Sequence, residues 1–370
     1  MTDLDKLVEP IAAIAAANAA EVDRGNFPKA SIDAMRGNGL LGLVSATDVG
    51  GLGHGLPAAA QVVERLAREC GSTAMVVCMH YCAVAVLEQH GPRTVREAIA
   101  GGKHLSTLAF SELGSRSQFW APIGTAIADG SDVRLTAKKS FITSARHADS
   151  YVWTSKPVTG SDASTLWLVP AKTAGLRHEG VFDGLGLRGN DSSPVTAEDV
   201  RVPASARLGE DGGGFGIMMG VVLPWFNVLS TAFCAGLMEA AVEKTAAHAG
   251  KAQFAHAGSS VADLPTVRAF VARMRIATDQ TKALLGDTLA AIGGARPDAT
   301  LRVLESKAAA GESAAFVTDL AMRVCGGVAF RKDIGIERIF RDARASLVMG
   351  PTTDVLYDFI GKAVCGLPLF

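Results

Sequence analysis

The sequence predicts an α+β multidomain chain, with a helical N-terminal domain, a central antiparallel β barrel or sheet domain, and a C-terminal four-helix bundle. Two changes of periodicity carry this reading. Apolar residues at helical spacing fill the first stretch, short β-branched and aromatic runs fill the second, and long helical patterns return in the third. The divisions fall at 1–103, 104–203 and 204–370. A third observation is size: 370 residues with 48% hydrophobic content can bury a large core and build more than one domain.

The helical spacing is clearest in Leu4–Glu21, in Pro57–Ala67 and in Val76–Gln89. Pro28 and Ser31 open a shorter helix, which Gly37 and Gly39 punctuate. Expected strands are Thr107–Phe110, Gly124–Asp129, Asp132–Ala137, Ser150–Ser155 and Ser164–Val169, separated by Gly, Ser and Asp. The bundle helices are expected at roughly 215–249, 262–292, 298–324 and 352–364, with a kink at Pro224.

Bulk chemistry excludes several functions. A net charge of -1 offers nothing to nucleic acid or to an anionic membrane surface. No uninterrupted apolar run suggests a membrane span, and five carboxylates within the first 24 residues argue against a leader peptide. Six scattered cysteines fit a reducing cytosol, so a soluble, cytoplasmic protein is expected.

Local motifs mostly have plain readings. Gly37-Asn38-Gly39-Leu40-Leu41-Gly42 spells a dinucleotide fingerprint but follows a helix where a strand is required, so it reads as a helix-ending turn. Gly50–Gly55 and Gly212–Gly216 lack the Lys-Ser/Thr of a phosphate loop. Cys78 and Cys82 share a helix face without a second pair at ligand spacing, and no metal site is expected. His80 between them is either a satisfied core histidine or a donor beside a cofactor. No Gly-x-Ser-x-Gly motif supports serine hydrolysis.

Several segments, in order, resemble the acyl-CoA dehydrogenase family over nearly the whole chain. Gly39-Leu40-Leu41-Gly42-Leu43 followed by Gly50-Gly51-Leu52-Gly53 is similar to its N-terminal helical domain. Phe110–Ser117 resembles its flavin strand and loop, and Lys138–Ala145 its Gly-x-Lys-x-Trp-Ile-Thr-Asn-Ala segment. Leu187–Asn190 through Asp199–Pro203 fits the end of its β domain. Cys325-Gly326-Gly327 to Arg338–Arg344 is similar to its Gly-Gly…Arg-Asp-Ala run.

The resemblance implies FAD, with Ser111 and Thr143 bonding the flavin ring, Phe141 against its face and Ser117 on the pyrophosphate. It implies a homo-oligomer, dimer or tetramer, in which Gly326 and Gly327 let a second subunit approach the adenosine half. Arg323 replaces the family's Gln there, and Lys251 stands near its phosphate-pairing Arg. Thr352 and Asp354 either cap the last helix or touch the flavin.

The departures concern the catalytic base. The family draws its Glu from one of two places, which here read Gly350 and Trp225/Phe226. From Gly212 to Met238, 27 residues pass without a carboxylate. Trp225, Phe226 and Asn227 become expected substrate contacts.

Three functions follow from the resemblance. The first is an FAD-dependent oxidoreductase on an acyl thioester, CoA or carrier-bound, lacking the usual Glu. The second is a flavin-dependent mono- or dioxygenase on the same fold, using a flavin peroxide with His80 in support and an aromatic pocket from Trp120, Trp225 and Phe226. The third is a base-less subunit beside a catalytic paralogue. Expected electron partners are an electron-transfer flavoprotein, O2 or a flavin reductase.

Overall fold

The computed structural model describes residues 2–116, 118–160, 163–256 and 258–369. The N-terminal domain holds α1 (Asp3–Val22), α2 (Lys29–Asn38), α3 (Leu56–Ala67), α4 (Gly71–His90) and α5 (Arg93–Ala100). A reciprocal cap between Thr2 and Asp5 starts α1, and its buried stripe runs Val8, Ile11, Ala12, Ala15, Ala19, Val22. Gly39 ends α2 at φ 85°, so the Gly37–Gly42 run is a helix stop. The α4 helix is buried nearly all round, as its near-continuous apolar sequence requires.

Two four-stranded sheets form the middle domain. The strands are β1 (Ser106–Ala109), β2 (Thr125–Asp129), β3 (Asp132–Ile142), β4 (Ser150–Ser155), β5 (Thr165–Pro170), β6 (Leu176–His178), β7 (Ser193–Pro203) and β8 (Arg207–Leu208). One sheet runs β1-β4-β5-β8 and the other β2-β3-β7-β6. Trp153 and Trp167, cross-strand partners on β4 and β5, lie in the core between them. The sheets are not wholly antiparallel, because β1 pairs with β4 in parallel. Strands β6 and β8 are too short to show an alternation, and the apolar residues of β7 are interrupted by Pro194, Glu198 and Asp199.

The C-terminal domain comprises α6 (Gly214–Ile217), α7 (Leu223–Lys251), α8 (Pro265–Gly293), α9 (Ala299–Cys325), α10 (Ile336–Val348) and α11 (Thr353–Val364). A single π-helical turn, Met218–Val222, joins α6 to α7 and closes with Leu223 N–H on the Met218 carbonyl. Pro224 follows at once, so its missing N–H is absorbed where the helix changes pitch. Besides the four expected bundle helices, the Arg338–Arg344 motif segment forms a further helix, α10.

One exclusion needs correcting. Three helical stretches, Gly71–His90, Gly214–Lys251 and Ala299–Phe330, are long and apolar enough by length and composition to cross a membrane. Their most apolar windows are 89%, 72% and 44% buried within the protein, which explains the first two as core helices.

The N-terminal and C-terminal domains share one core through α3, α4 and α7. Gly236 on α7 marks the closest approach: a Cβ there would stand 2.2 Å from the Glu64 carbonyl oxygen and 2.7 Å from the Ala67 Cβ. Helix propensity alone favours Gly→Ala by about 1 kcal/mol. Here the clash wins, and Gly236→Ala should lower stability by about 1–3 kcal/mol in denaturant unfolding. A stabilised variant would contradict this packing.

Candidate active site

A cavity of about 700 Å³ opens where the three domains meet. Met75 and Met79 of α4 line one side, and the segment after β1, from Phe110 to Arg116, lines another. The end of β3 contributes Ser140 to Thr143. From the bundle come Val222, Phe226 and the α10–α11 turn with Val348, Met349 and Gly350. The last wall is the β6–β7 connection, including Phe182, Leu185 and Leu187.

A buried ion pair fixes the middle-domain wall. Lys139 Nζ on β3 donates to Glu112 Oε1 at 2.6 Å, and to the Thr154 carbonyl and hydroxyl at 2.7 Å each. Glu112 Oε2 accepts from the backbone N–H of Ile123 at 2.6 Å and Gly124 at 2.8 Å. Burial draws the Lys139 ammonium down to about 8, and the Glu112 carboxylate pulls it back up. Both side chains point away from solvent, at 0% and 3% exposure. The pair therefore binds the loop after β1 to β3, and the Ser140 N–H donates to the Ser111 carbonyl at 2.9 Å beside it.

Beyond Lys139 the β3–β7 register slips, and the chain turns Phe141 outward at φ 54° with 71% exposure. An exposed aromatic in left-handed backbone is costly, and such outliers gather at ligand sites. Thr143 is buried behind it, with Oγ1 3.2 Å from Ser192 Oγ. Ser111, Phe141 and Thr143 thus meet on one wall, and Phe226 and Gly350 face the same cavity. Ser117 lies outside the described residues.

Other expected site residues stand elsewhere. His80 is fully buried, with Nε2 3.0 Å from the Leu41 carbonyl and Nδ1 accepting from Ser106 N–H at 3.1 Å. Burial lowers it to about 4, so it is a neutral imidazole holding α4 to β1, not a cavity donor. Asn227 is buried between α7 and α9, donating to the Val303 carbonyl at 3.3 Å. Trp225, half-buried against the main core, is not on the cavity wall, because one helical position turns it from Phe226. Thr352 caps α11 by accepting from Val355 N–H, and Asp354 is exposed in its first turn. Arg323 lies 4.5 Å over the Phe270 ring, and Gly326 and Gly327 are exposed at the end of α9. None of these five, Thr352, Asp354, Arg323, Gly326 and Gly327, lines the cavity within one chain.

The β6–β7 connection forms a wall that motif and spacing do not reveal. Gly186 presses so close to α10 that a Cβ would meet the Arg341 carbonyl oxygen at 2.5 Å. Arg341 answers with bonds to the Leu185 carbonyl, to both Asp23 oxygens and to Glu337. The Leu187 N–H donates to Asp342 Oδ1 at 2.6 Å. Asp342 is deeply buried, and burial pushes its carboxyl up to about 7. The signal lies in Gly186, which permits a close docking that a larger residue would block.

That carboxyl gives a signed pH dependence. A raised folded pKa stabilises fully below the unfolded value of 3.8, and the contribution is lost as pH rises to about 7. Asp342→Asn should remove this slope, changing the pH dependence of unfolding by up to about 4 kcal/mol. Parallel unfolding curves from pH 4 to 8 for the two proteins would contradict it.

Comparison with known proteins places this geometry. Family models for the acyl-CoA dehydrogenase N-terminal, middle and C-terminal domains match residues 5–101, 107–200 and 212–365 in that order. The chain is 28% identical over 356 residues to an acryloyl-CoA reductase (NADH) of Anaerotignum propionicum, covering 94% of this chain and 89% of that one. It is 29% identical over 336 residues to an L-prolyl-[peptidyl-carrier protein] dehydrogenase of Pseudomonas fluorescens, covering 88% and 87%. Butyryl-CoA dehydrogenase from Megasphaera elsdenii has the same fold, with a TM-score of 0.90 at 22% identity over 99% of each chain. With all three domains matched in family order around a shared cavity, the chain belongs to the acyl-CoA dehydrogenase family of flavoenzyme oxidoreductases.

Proposed function

We propose that this chain is an FAD-dependent oxidoreductase that holds an acyl thioester, on CoA or a carrier protein, without the Glu its relatives place in this cavity. One observation carries the proposal. Among the described residues lining the cavity, Glu112 is the single carboxylate, and its oxygens are taken by Lys139 and two backbone N–H groups. Gly350, at one usual Glu position, has no side chain, and Phe226, at the other, is apolar.

The residues present fit a flavin. Phe141 offers an exposed ring face to the cavity, and Ser111 and Thr143 bring hydroxyl-bearing side chains to the same lining. Bound flavin supplies a two-electron acceptor. The protein supplies shape and dryness: Met75, Met79, Phe110, Phe119, Val222 and Phe226 surround the acyl group and exclude water. What it does not supply is a free base, so the α-proton must be acidic in its own right or be taken by a group from a partner subunit.

The thioester reading draws on the relatives, whose names give a CoA thioester in one case and a carrier-bound prolyl group in another. Exposed Gly326 and Gly327 with Arg323 support a second subunit at the end of α9, completing a cytoplasmic dimer or tetramer. An electron-transfer flavoprotein or a flavin reductase would exchange electrons with it. The oxygenase alternative loses His80, whose buried contacts keep it off the cavity wall, and keeps only the absence of a free base in its favour.

Anaerobic titration of the FAD-loaded chain with acyl-CoA is the test. Binding should perturb the oxidised flavin band while saturated acyl-CoA bleaches it slowly or not at all. Gly350→Glu should accelerate bleaching by at least about tenfold, towards the usual contribution of a positioned base. Rapid bleaching by the unaltered chain would sink the base-less reading, and an unperturbed band would sink the thioester reading.

A further inference from the structure

The α10–α11 turn that brings Met349 and Gly350 to the cavity is held from behind by Lys307 of α9. Lys307 is 1% exposed. Its Nζ donates to the carbonyl oxygens of Pro351 at 2.7 Å, Met349 at 3.0 Å and Ser346 at 3.4 Å. Three donors thus meet three acceptors, and two of those acceptors flank Gly350 on either side. The Phe226 ring, itself a cavity wall, lies 5.9 Å from the same ammonium.

Among the described residues, the titratable group that acts on it is the Cys234 thiol on α7, which burial pushes up to about 11 and so keeps neutral. From α10 comes the Ser346 carbonyl, while Asp354 at the start of α11 is exposed. A buried ammonium without a counter-charge costs stability unless its hydrogen bonds hold something in place. What these bonds hold is the backbone on both sides of Gly350.

We propose that Lys307 is a positioning residue for the acyl thioester: by gripping the Met349 and Pro351 carbonyls it fixes where Gly350 stands in the cavity wall. This rests on the reading of the cavity as a thioester site. Burial lowers the ammonium to about 8. Above that pH the neutral amine has two protons for three carbonyls, and the grip weakens.

The test uses the full FAD-loaded chain and Lys307→Met, which keeps length and removes the donors. Amide hydrogen exchange is followed by mass spectrometry, and butyryl-CoA affinity is measured from pH 7 to 9.5. In the unaltered chain, affinity should fall about threefold or more as pH rises through 8, and Lys307→Met should bind at least about tenfold more weakly at pH 7 with no such step. Exchange in the variant should accelerate in peptides spanning 346–356 and remain unchanged in α8. Wild-type affinity in the variant, or unchanged protection over 346–356, overturns the proposal. If the variant does not fold, a flat pH profile of the unaltered chain overturns it instead. If the unaltered chain binds no CoA thioester, the thioester reading fails, and the exchange result alone decides whether Lys307 holds the turn.

Discussion

The ion pair between Lys139 and Glu112 is the contact on which the cavity depends. It reinforces the short backbone pairing of the loop after β1 with the end of β3, and so frames the wall that carries Ser111 and Phe141. The pair survives burial because all three ammonium protons find acceptors and both carboxylate oxygens accept, with two backbone N–H groups on the carboxylate and Thr154 on the ammonium. Breaking such a pair on one side leaves an uncompensated charge, at a cost of about 3–5 kcal/mol. The same engagement removes Glu112 from chemistry. Structure and function are thus set by one interaction: the carboxylate that builds the cavity is unavailable within it.

A second buried lysine shows the same logic from the bundle side. Lys307 meets only carbonyls, so it organises a turn where Lys139 organises a loop and a strand. Asp342 and Arg341 do the corresponding work for the β6–β7 connection, joining it to α10. The middle-domain wall, the α10–α11 turn and the β6–β7 connection are therefore each anchored by buried or part-buried polar groups, while much of the inner surface remains apolar. Such an arrangement keeps geometry rigid and the reacting volume dry.

Much of the fold was legible in the sequence because period changes with element type. The strands at Ser150–Ser155 and the helices α1, α3, α4, α8 and α9 follow their apolar spacing closely. The parts that escaped had their signals diluted: β7 carries Glu198 and Asp199 within its run, and α10 alternates arginines with small residues. At the site, Phe141 and Thr143 were placed by resemblance to a motif, and the structure sets them together with Ser111 on one wall. His80 could not be placed from sequence, since a histidine on an apolar helix looks the same whether it faces a core carbonyl or a ligand. Lys139, Lys307 and Asp342 were invisible for a related reason. Their meaning lies in partners far along the chain, and only the fold brings those together.

The central claim is that this cavity receives an acyl thioester but holds no free base. The most direct measurement is exchange of the thioester α-protons for deuterium, followed by NMR in D2O with the anaerobic, FAD-loaded chain. The account predicts that saturated butyryl-CoA exchanges no faster than without protein, although it binds. Rapid protein-dependent exchange would contradict it, by revealing a base within reach of the α-carbon.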